Sequence, residues 1–439
     1  MIKKQKNKAR AVIACFFVLL FVGAAVALYM PLRPTYSEAE KRELTKFPEF
    51  SVQALLDGSY FNGISTWYSD TFPFREMFIN VNSRIKSFYG IGDSISGFSN
   101  EIGDDIPVVP ETSAPQENET TAKEKETTTK PPATKPPEKD EPLVQKLSSV
   151  IIVDNAAYEY YSFIRSTADS YASAVSAAAD VLKGKSRVFC MIIPTSTDIT
   201  LDDNIRKNVN SSKQNEAINY MYSVMSPNVA KIKLYEPLRA RRDEYIYFRT
   251  DHHWTALGAY YAYLEYAAAA DITAAQLTDF EEKQFDNFVG AFYNDSGKDP
   301  ALEKEPDTVY AYKPKGNVKL EFTDKGGKKY NWPVVSDVSG WSRGTKYNTF
   351  IGGDQPYAYI RNSDITDGSS CLVIKESFGN AMVPFLTANY GEVHVIDYRY
   401  WDGSIAEFAE KNGIDDVIFL NNISATRNKS LVNSLNSII

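Results

Sequence analysis

Asp251-His252-His253-Trp254 sets an acid, two imidazoles and an indole side by side in a chain that has only three histidines. A carboxylate beside an imidazole can make a serine nucleophilic: the imidazole takes the hydroxyl proton, and the carboxylate fixes its tautomer and steadies the cation that forms. In an extended segment, side chains two apart share a face. Asp251 and His253 can therefore meet, His252 faces away in a supporting position, and Trp254 walls the site. The third histidine, His394, alternates within the strand-like run EVHVIDY and reads as structural.

A serine in a suitable place lies far downstream. LVIKESFGN runs from an apolar strand into a turn, with Ser377 at the bend. Backbone N–H groups over Phe378, Gly379 and Asn380 could hold an oxyanion there. Lys375 stands where a G-x-S-x-G elbow carries its first glycine, and a plain helix-capping serine is the competing reading. Gly92-Asp93-Ser94 offers a second serine, but it follows a helical pattern and opens a Gly/Ser-rich stretch, so a loop turn fits better. A zinc site built from Asp251, one motif histidine and His394 is a further alternative. Adjacent histidines rarely converge on one ion and H-E-x-x-H is missing, so neither a metal nor a diffusible cofactor is expected. Arg249 and Arg399 could meet an anionic or hydroxyl-rich substrate, and Asp354 in TFIGGDQP could line the cleft opposite the triad. Solvated or paired arginines and a hairpin turn are the plainer alternatives.

These residues need a frame that brings 251–253 to 377. From residue 146 onward, apolar runs alternate with helical patterns: SSVIIVD, an Ala-rich helix over 156–184, RVFCMIIPT, a helix near 212–226, VAKIKLYE, and a helix over 255–270. After a β-rich insertion at 285–365 the alternation resumes with SCLVIKES, EVHVIDY and IDDVIFLN. This predicts an α/β domain, a parallel sheet covered by helices on both faces, with its site at the C-terminal strand ends. Cys190 and Cys371 fall in core strands and read as buried free thiols, and no C-x-x-C spacing exists.

The rest of the chain divides by composition. Residues 1–10 are basic, and 11–30 form an uncharged apolar run long enough to span a bilayer. The basic flank predicts a signal anchor with the N-terminus in the cytoplasm and the bulk of the chain outside. Residues 36–100 read as a helical segment packing on the main domain, with a break at Pro73. Residues 101–142, rich in Pro, Thr, Lys and Glu, read as a disordered linker before the domain at 146–439. A net charge of −8 and pI near 5.2 argue against a nucleic-acid binder, which needs a basic footprint.

YFRTDHHWTALGAYYAY resembles the motif that names the bacterial DHHW proteins, which are similar to the SGNH-hydrolase-like domains of alginate O-acetyltransferases. SDTFPFRE, IIPTSTDI and VIKESFGNAMVPFL also look like that family, so the resemblance covers most of 36–100 and 146–439. It implies a three-layer α/β/α, SGNH-like (flavodoxin-like) fold, with Asp251 and His253 as dyad and Ser377 as nucleophile. It further implies O-acetyl transfer or ester hydrolysis on a cell-envelope or exported polysaccharide, and a membrane-bound O-acyltransferase partner. Lys-Glu-Ser replaces the family's usual Gly-Asp-Ser. The alternative is a non-catalytic glycan-binding or scaffold component of the same envelope system.

Overall fold

The computed structural model describes residues 33–37, 42–51, 55, 59–73, 103–107, 144–147 and 150–439. The expected anchor at 11–30 and the Gly92-Asp93-Ser94 turn lie outside them. Among the described residues no helix is long and apolar enough to cross a membrane. The chain separates into two compact units, Met1–Asp93 and Ser94–Ile439.

In the first unit, Tyr36–Ser37 pairs antiparallel with Arg42–Glu43, and a helix spans Ser59–Asp70. The helix stops before Pro73. Arg33 lies over the Trp67 ring, 3.9 Å from its centroid, and donates to Thr71 Oγ1 at 2.7 Å.

The second unit is built on one eight-stranded sheet. Its strands in chain order are β1 (Arg187–Ile193), β2 (Val229–Ile232), β3 (Val318–Thr323), β4 (Lys329–Trp332), β5 (Tyr357–Asn362), β6 (Ser370–Lys375), β7 (Glu392–Asp397) and β8 (Asp416–Asn422). Across the sheet the order is β4-β3-β5-β7-β6-β8-β1-β2. The run β7-β6-β8-β1-β2 is parallel, while β5, β3 and β4 add antiparallel edges. The expectation of a purely parallel sheet is therefore corrected. Three strands of the 285–365 insertion, β3, β4 and β5, continue the sheet, because β5 pairs along the open edge of β7, while Asp307–Pro314 pairs with Phe280–Phe288 outside it.

Central strands β6 and β8 are buried along their whole length, as their unbroken apolar runs require. One face packs helices Arg165–Val181, Gln214–Val224, Ile405–Asn412 and Lys429–Asn436 through a cluster that includes Val175, Ile374 and Phe419. The other face carries helix Ala256–Ala270 and the antiparallel pair Phe280–Phe288 with Asp307–Pro314, around Trp254, Tyr263 and Phe350. Cys190 and Cys371 are free and buried. Strand β8 separates them, and they belong to opposite faces.

Three boundaries move. SSVIIVD does not enter the large sheet: Val150–Val153 is the middle strand of a three-stranded antiparallel sheet with Val144–Lys146 and Ala156–Glu159. The cause is Asp154-Asn155, a two-residue hairpin turn with Asp154 at φ 54°. The Ala-rich helix consequently begins at Arg165, not 156. Within the expected linker, residues 103–107 dock on the domain: Asp104 N–H donates to the Phe163 carbonyl (2.7 Å), and Asp104 Oδ2 accepts from Arg165 N–H (2.8 Å). The rest of that segment up to 143 lies outside the described residues.

Candidate active site

Strand β6 ends at Lys375, and Ser377–Ala381 forms a 3-10 turn at the C-terminal edge of the sheet. The cap of this turn is Glu376, not the serine. Its Oε2 accepts from Phe378 N–H at 3.0 Å, and its Oε1 accepts from Asn422 N–H at 2.7 Å. Ser377 Oγ is thus free of capping duty. Gly379 is required by packing, since a Cβ there would stand 2.6 Å from Lys375 Cβ.

The acid–histidine motif reaches this turn from the chain after β2. Residues 246–255 form a hairpin-like loop: Tyr247 bridges Trp254, Phe248 N–H donates to the His253 carbonyl (3.2 Å), and Thr255 N–H to the Ile246 carbonyl (3.0 Å). Thr255 then caps helix Ala256–Ala270, its Oγ1 accepting from Gly258 N–H. The loop tip is held by a wholly buried carboxylate, Asp307. It accepts from Thr250 N–H (2.7 Å), Thr250 Oγ1 (2.6 Å), Arg249 Nε (3.2 Å) and Tyr245 Oη (2.7 Å).

Asp251 and His253 do meet, but by a turn rather than by strand alternation. Asp251 Oδ1 accepts from His253 N–H at 3.0 Å, an Asx-type turn, and lies 2.5 Å from His253 Nδ1. Its Oδ2 accepts from Ala291 N–H at 2.8 Å. His253 Nε2 lies 2.7 Å from Ser377 Oγ. With Nδ1 donating to the carboxylate, Nε2 is the acceptor for the serine proton.

Electrostatics favour this arrangement. Burial alone would raise the Asp251 carboxyl. The His252 and His253 imidazoles, the His253 hydrogen bond and the Ala291 N–H outweigh it and hold the carboxyl well below the ordinary carboxylate range. The His252 imidazole is lowered, first by burial and then by its neighbour His253. Glu376 is raised by burial, partly offset by Arg399 and the two N–H groups it accepts.

The remaining expected residues divide clearly. His252 does not point away: its ring lies 4.0 Å from that of His253 at 35°. Trp254 is fully buried and donates its indole N–H to the Phe378 carbonyl at 2.8 Å, so it ties the motif to the serine turn and presents no wall to a substrate. Phe378 and Gly379 N–H groups are already committed, to the Glu376 carboxylate and the Glu376 carbonyl (3.0 Å) respectively. This corrects their reading as vacant oxyanion donors. Asn380 Nδ2 donates to Asp354 Oδ1 at 2.9 Å. Asp354 is half-buried and paired as well, with Lys375 Nζ (3.2 Å) and Arg399 Nη2 (2.8 Å). Arg249 pairs with Asp307 and Glu305 rather than with an open cleft.

Among the described residues, Asp251, His252 and His253 bring ligating atoms within 4.8 Å of one another. Both His253 nitrogens already have protein partners. His394 stands elsewhere, its Nδ1 2.8 Å from Tyr357 Oη and its ring against Tyr359 and Phe408, so the zinc set that includes it is not assembled.

Two residues of the site carry no motif signal. Gly290 abuts Asp251: a Cβ there would stand 2.2 Å from Asp251 Cβ and Oδ2. Tyr347, from the chain between β4 and β5, stacks on His253 with ring centroids 3.9 Å apart at 13°.

The model of the family described as DHHW protein matches residues 40–128 and 132–396. The chain belongs to the DHHW family. Among curated proteins none matches it. Among solved structures it is similar to a DHHW family protein from Eubacterium siraeum, at 26% identity and a TM-score of 0.62 over 68% of this chain and 99% of that one. Bacillus cereus PatB1, solved with a sulfonyl adduct, shares the fold at 18% identity and a TM-score of 0.53, covering 66% of this chain and 97% of that one. A looser likeness, at a TM-score of 0.35 and 13% identity, links it to the O-acetyltransferase domain of Pseudomonas putida AlgJ over 67% of this chain and 99% of that one.

Proposed function

We propose that this DHHW protein is a serine acyltransferase or esterase, most simply an O-acetyl one, working through an acyl-Ser377 intermediate. The observation that carries the reading is the unbroken line Asp251–His253–Ser377, with contacts of 2.5 and 2.7 Å at the C-terminal edge of a buried parallel run.

The chemistry follows from that line. Ser377 Oγ attacks the acyl carbonyl carbon as its proton passes to His253 Nε2, and Asp251 steadies the imidazolium. The tetrahedral intermediate collapses when the leaving alcohol takes that proton, leaving acyl-Ser377 and neutral His253. An acceptor hydroxyl, or water, then gives its proton to His253 and attacks the acyl carbon. Collapse of the second tetrahedral intermediate returns that proton to Ser377 Oγ, releasing the new ester or the acid and restoring neutral His253. An oxyanion needs donors, and Phe378 N–H becomes one only if the Glu376 carboxylate yields it.

We further propose the setting that the sequence suggests: a flavodoxin-like SGNH domain held outside the membrane by residues 11–30. It would receive its acyl group through a membrane-bound O-acyltransferase and pass it to an envelope or exported polysaccharide. The test uses the full chain in detergent with p-nitrophenyl acetate and with an aryl sulfonyl fluoride, a probe suggested by the adduct in PatB1. Wild type should turn over the ester and gain a sulfonyl mass on Ser377, while Ser377→Ala and His253→Ala should do neither. Equal reactivity of all three proteins sinks the assignment.

A further inference from the structure

Tyr347 touches both parts of the triad that must stay in register. Its ring lies flat against the His253 imidazole, 3.9 Å between centroids at 13°. Its hydroxyl donates to the Ser377 carbonyl at 3.0 Å. The ring is in turn held edge-on by Phe350 (5.4 Å, 68°) and Phe248 (6.1 Å, 88°), and the residue is 5% exposed. Burial, with Glu376, Asp251 and Asp354 nearby, raises the phenol well above its ordinary value, so it remains a donor throughout the physiological range.

The need for such a residue is geometric. The Asp251 contact fixes one end of the imidazole but leaves it free to tilt about the Nδ1–Oδ1 line. Of the described rings around it, His252 and Phe378 lie tilted to the imidazole, at 35° and 46°, and Tyr347 alone lies flat on its face. There it opposes that tilt most directly and favours the cation formed when His253 takes the serine proton. Ser377 lies on a 3-10 turn whose side-chain cap, the Glu376 carboxylate, accepts from Phe378 N–H and so holds the turn's donor side. The Tyr347 hydroxyl adds a side-chain tether on the Ser377 carbonyl, with the Phe378 carbonyl 3.5 Å away.

We propose that Tyr347 is a positioning residue that holds the His253 ring plane and the Ser377 main chain in register for acyl transfer. The proposal rests on the serine-acyltransfer reading above, and its test separates the two. Tyr347→Phe keeps the stack and loses the tether. Tyr347→Leu loses both. Tyr347→Met is the parallel non-aromatic variant, with a flexible side chain of similar bulk.

The first readout is ester kinetics with sulfonylation rate. Tyr347→Phe should lower kcat about fivefold, the scale of one neutral hydrogen bond, with KM unchanged. Leu and Met should lower kcat by about a hundredfold, as misplaced catalytic groups do. The second readout needs no turnover. The short Asp251–His253 contact should give a strongly downfield Nδ1 proton resonance. The chain has only three histidines, so His252→Gln and His394→Gln identify it. The signal should persist in Tyr347→Phe and disappear in the Leu and Met variants.

A downfield signal and kcat unchanged in either non-aromatic variant overturn the proposal. If both non-aromatic variants fail to fold, a Tyr347→Phe protein with wild-type kcat and sulfonylation rate overturns the tether. If wild type neither turns over ester nor sulfonylates, the acyltransfer reading fails, and the resonance alone decides whether Tyr347 holds the histidine.

Discussion

His253 Nε2 stands 2.7 Å from Ser377 Oγ although 124 positions separate the two residues. One arrives on a loop after an edge strand, the other on the turn after a central strand, so their meeting is a product of the sheet order. The contact is useful only if His253 carries its proton on Nδ1, and Asp251 enforces that tautomer. Asp251→Asn, which can donate to Nδ1 and reverse the tautomer, should cut ester turnover by about 10⁴-fold with little change in KM. Steady-state kinetics checks this, and a loss below tenfold would show that the carboxylate does not orient the base.

The same carboxylate sets an acid limit on stability. Its folded-state value lies below the ordinary one, held there against burial by His252, His253 and the Ala291 N–H. A depressed carboxylate contributes stability above its unfolded value, about 3.9, and loses it as pH falls through the folded value. Urea midpoints of wild type and Asp251→Asn should therefore be well separated above about pH 5 and converge below about pH 4. A gap that widens on acidification would contradict the assigned direction.

Glycine substitutions test how tightly the site is packed. Alanine at 290 would drive a methyl to 2.2 Å from Asp251 Cβ and Oδ2, and alanine at 379 to 2.6 Å from Lys375 Cβ. Each clash includes a Cβ, which is fixed to the backbone and cannot swing away. Each substitution should cost about 1–3 kcal/mol, the range for overpacked cores. Gly290→Ala should also depress turnover more than its stability loss explains, because it pushes the acid that orients His253. Thermal melts beside kinetics at a temperature where each variant is fully folded separate the two effects.

The pairing of Arg249 also carries a consequence. Its guanidinium and the motif loop share Asp307, which has no exposed surface and accepts from three residues of the 245–250 segment. Asp307→Ala strands the buried Thr250 N–H and Oγ1 donors together with the half-buried Tyr245 and Arg249 ones, and should cost about 3–5 kcal/mol, as breaking a buried charged network does. Arg249→Ala removes a partly exposed partner, and its cost should stay near 1 kcal/mol with KM for small esters unchanged. A large KM rise in Arg249→Ala would restore it to substrate binding.

These residues show what the sequence disclosed and what it hid. The strand-to-turn passage at Ser377 and the Asp-x-His spacing are local patterns, and local patterns were enough to pick out all three members of the triad line. The way Asp251 and His253 meet was misread, because an Asx turn and strand alternation can both bring residues i and i+2 together. The oxyanion donors were misread because Glu376, one residue before the serine, reaches forward to Phe378 N–H. Only a side-chain rotamer reveals that. Asp307 opens a strand that pairs with Phe280–Phe288 outside the large sheet, and Tyr347 lies in the 3-10 segment Arg343–Thr349, at separations of 57 residues from Thr250 and 30 from Ser377. No periodicity links them to the motif; side-chain contacts made across the fold do.

The departure from a glycine elbow at Lys375 is the last feature to test. The side chain is 1% exposed, and its Nζ donates to Asp397 Oδ2 at 3.0 Å and Asp354 Oδ1 at 3.2 Å beneath the serine turn. Arg399 closes the same group through Asp397 (2.6 Å) and Asp354 (2.8 Å), so two cations face two carboxylates. Lys375→Met keeps the bulk that meets Gly379 but leaves one buried carboxylate charge uncompensated. Removing one member of a buried ion group costs about 3–5 kcal/mol, and Arg399 should hold the loss to the lower end. Adding Asp354→Asn removes the surplus charge and should recover at least 1 kcal/mol of it. Urea unfolding of the single and double variants measures this coupling, and purely additive losses would show that the four groups do not act as one network.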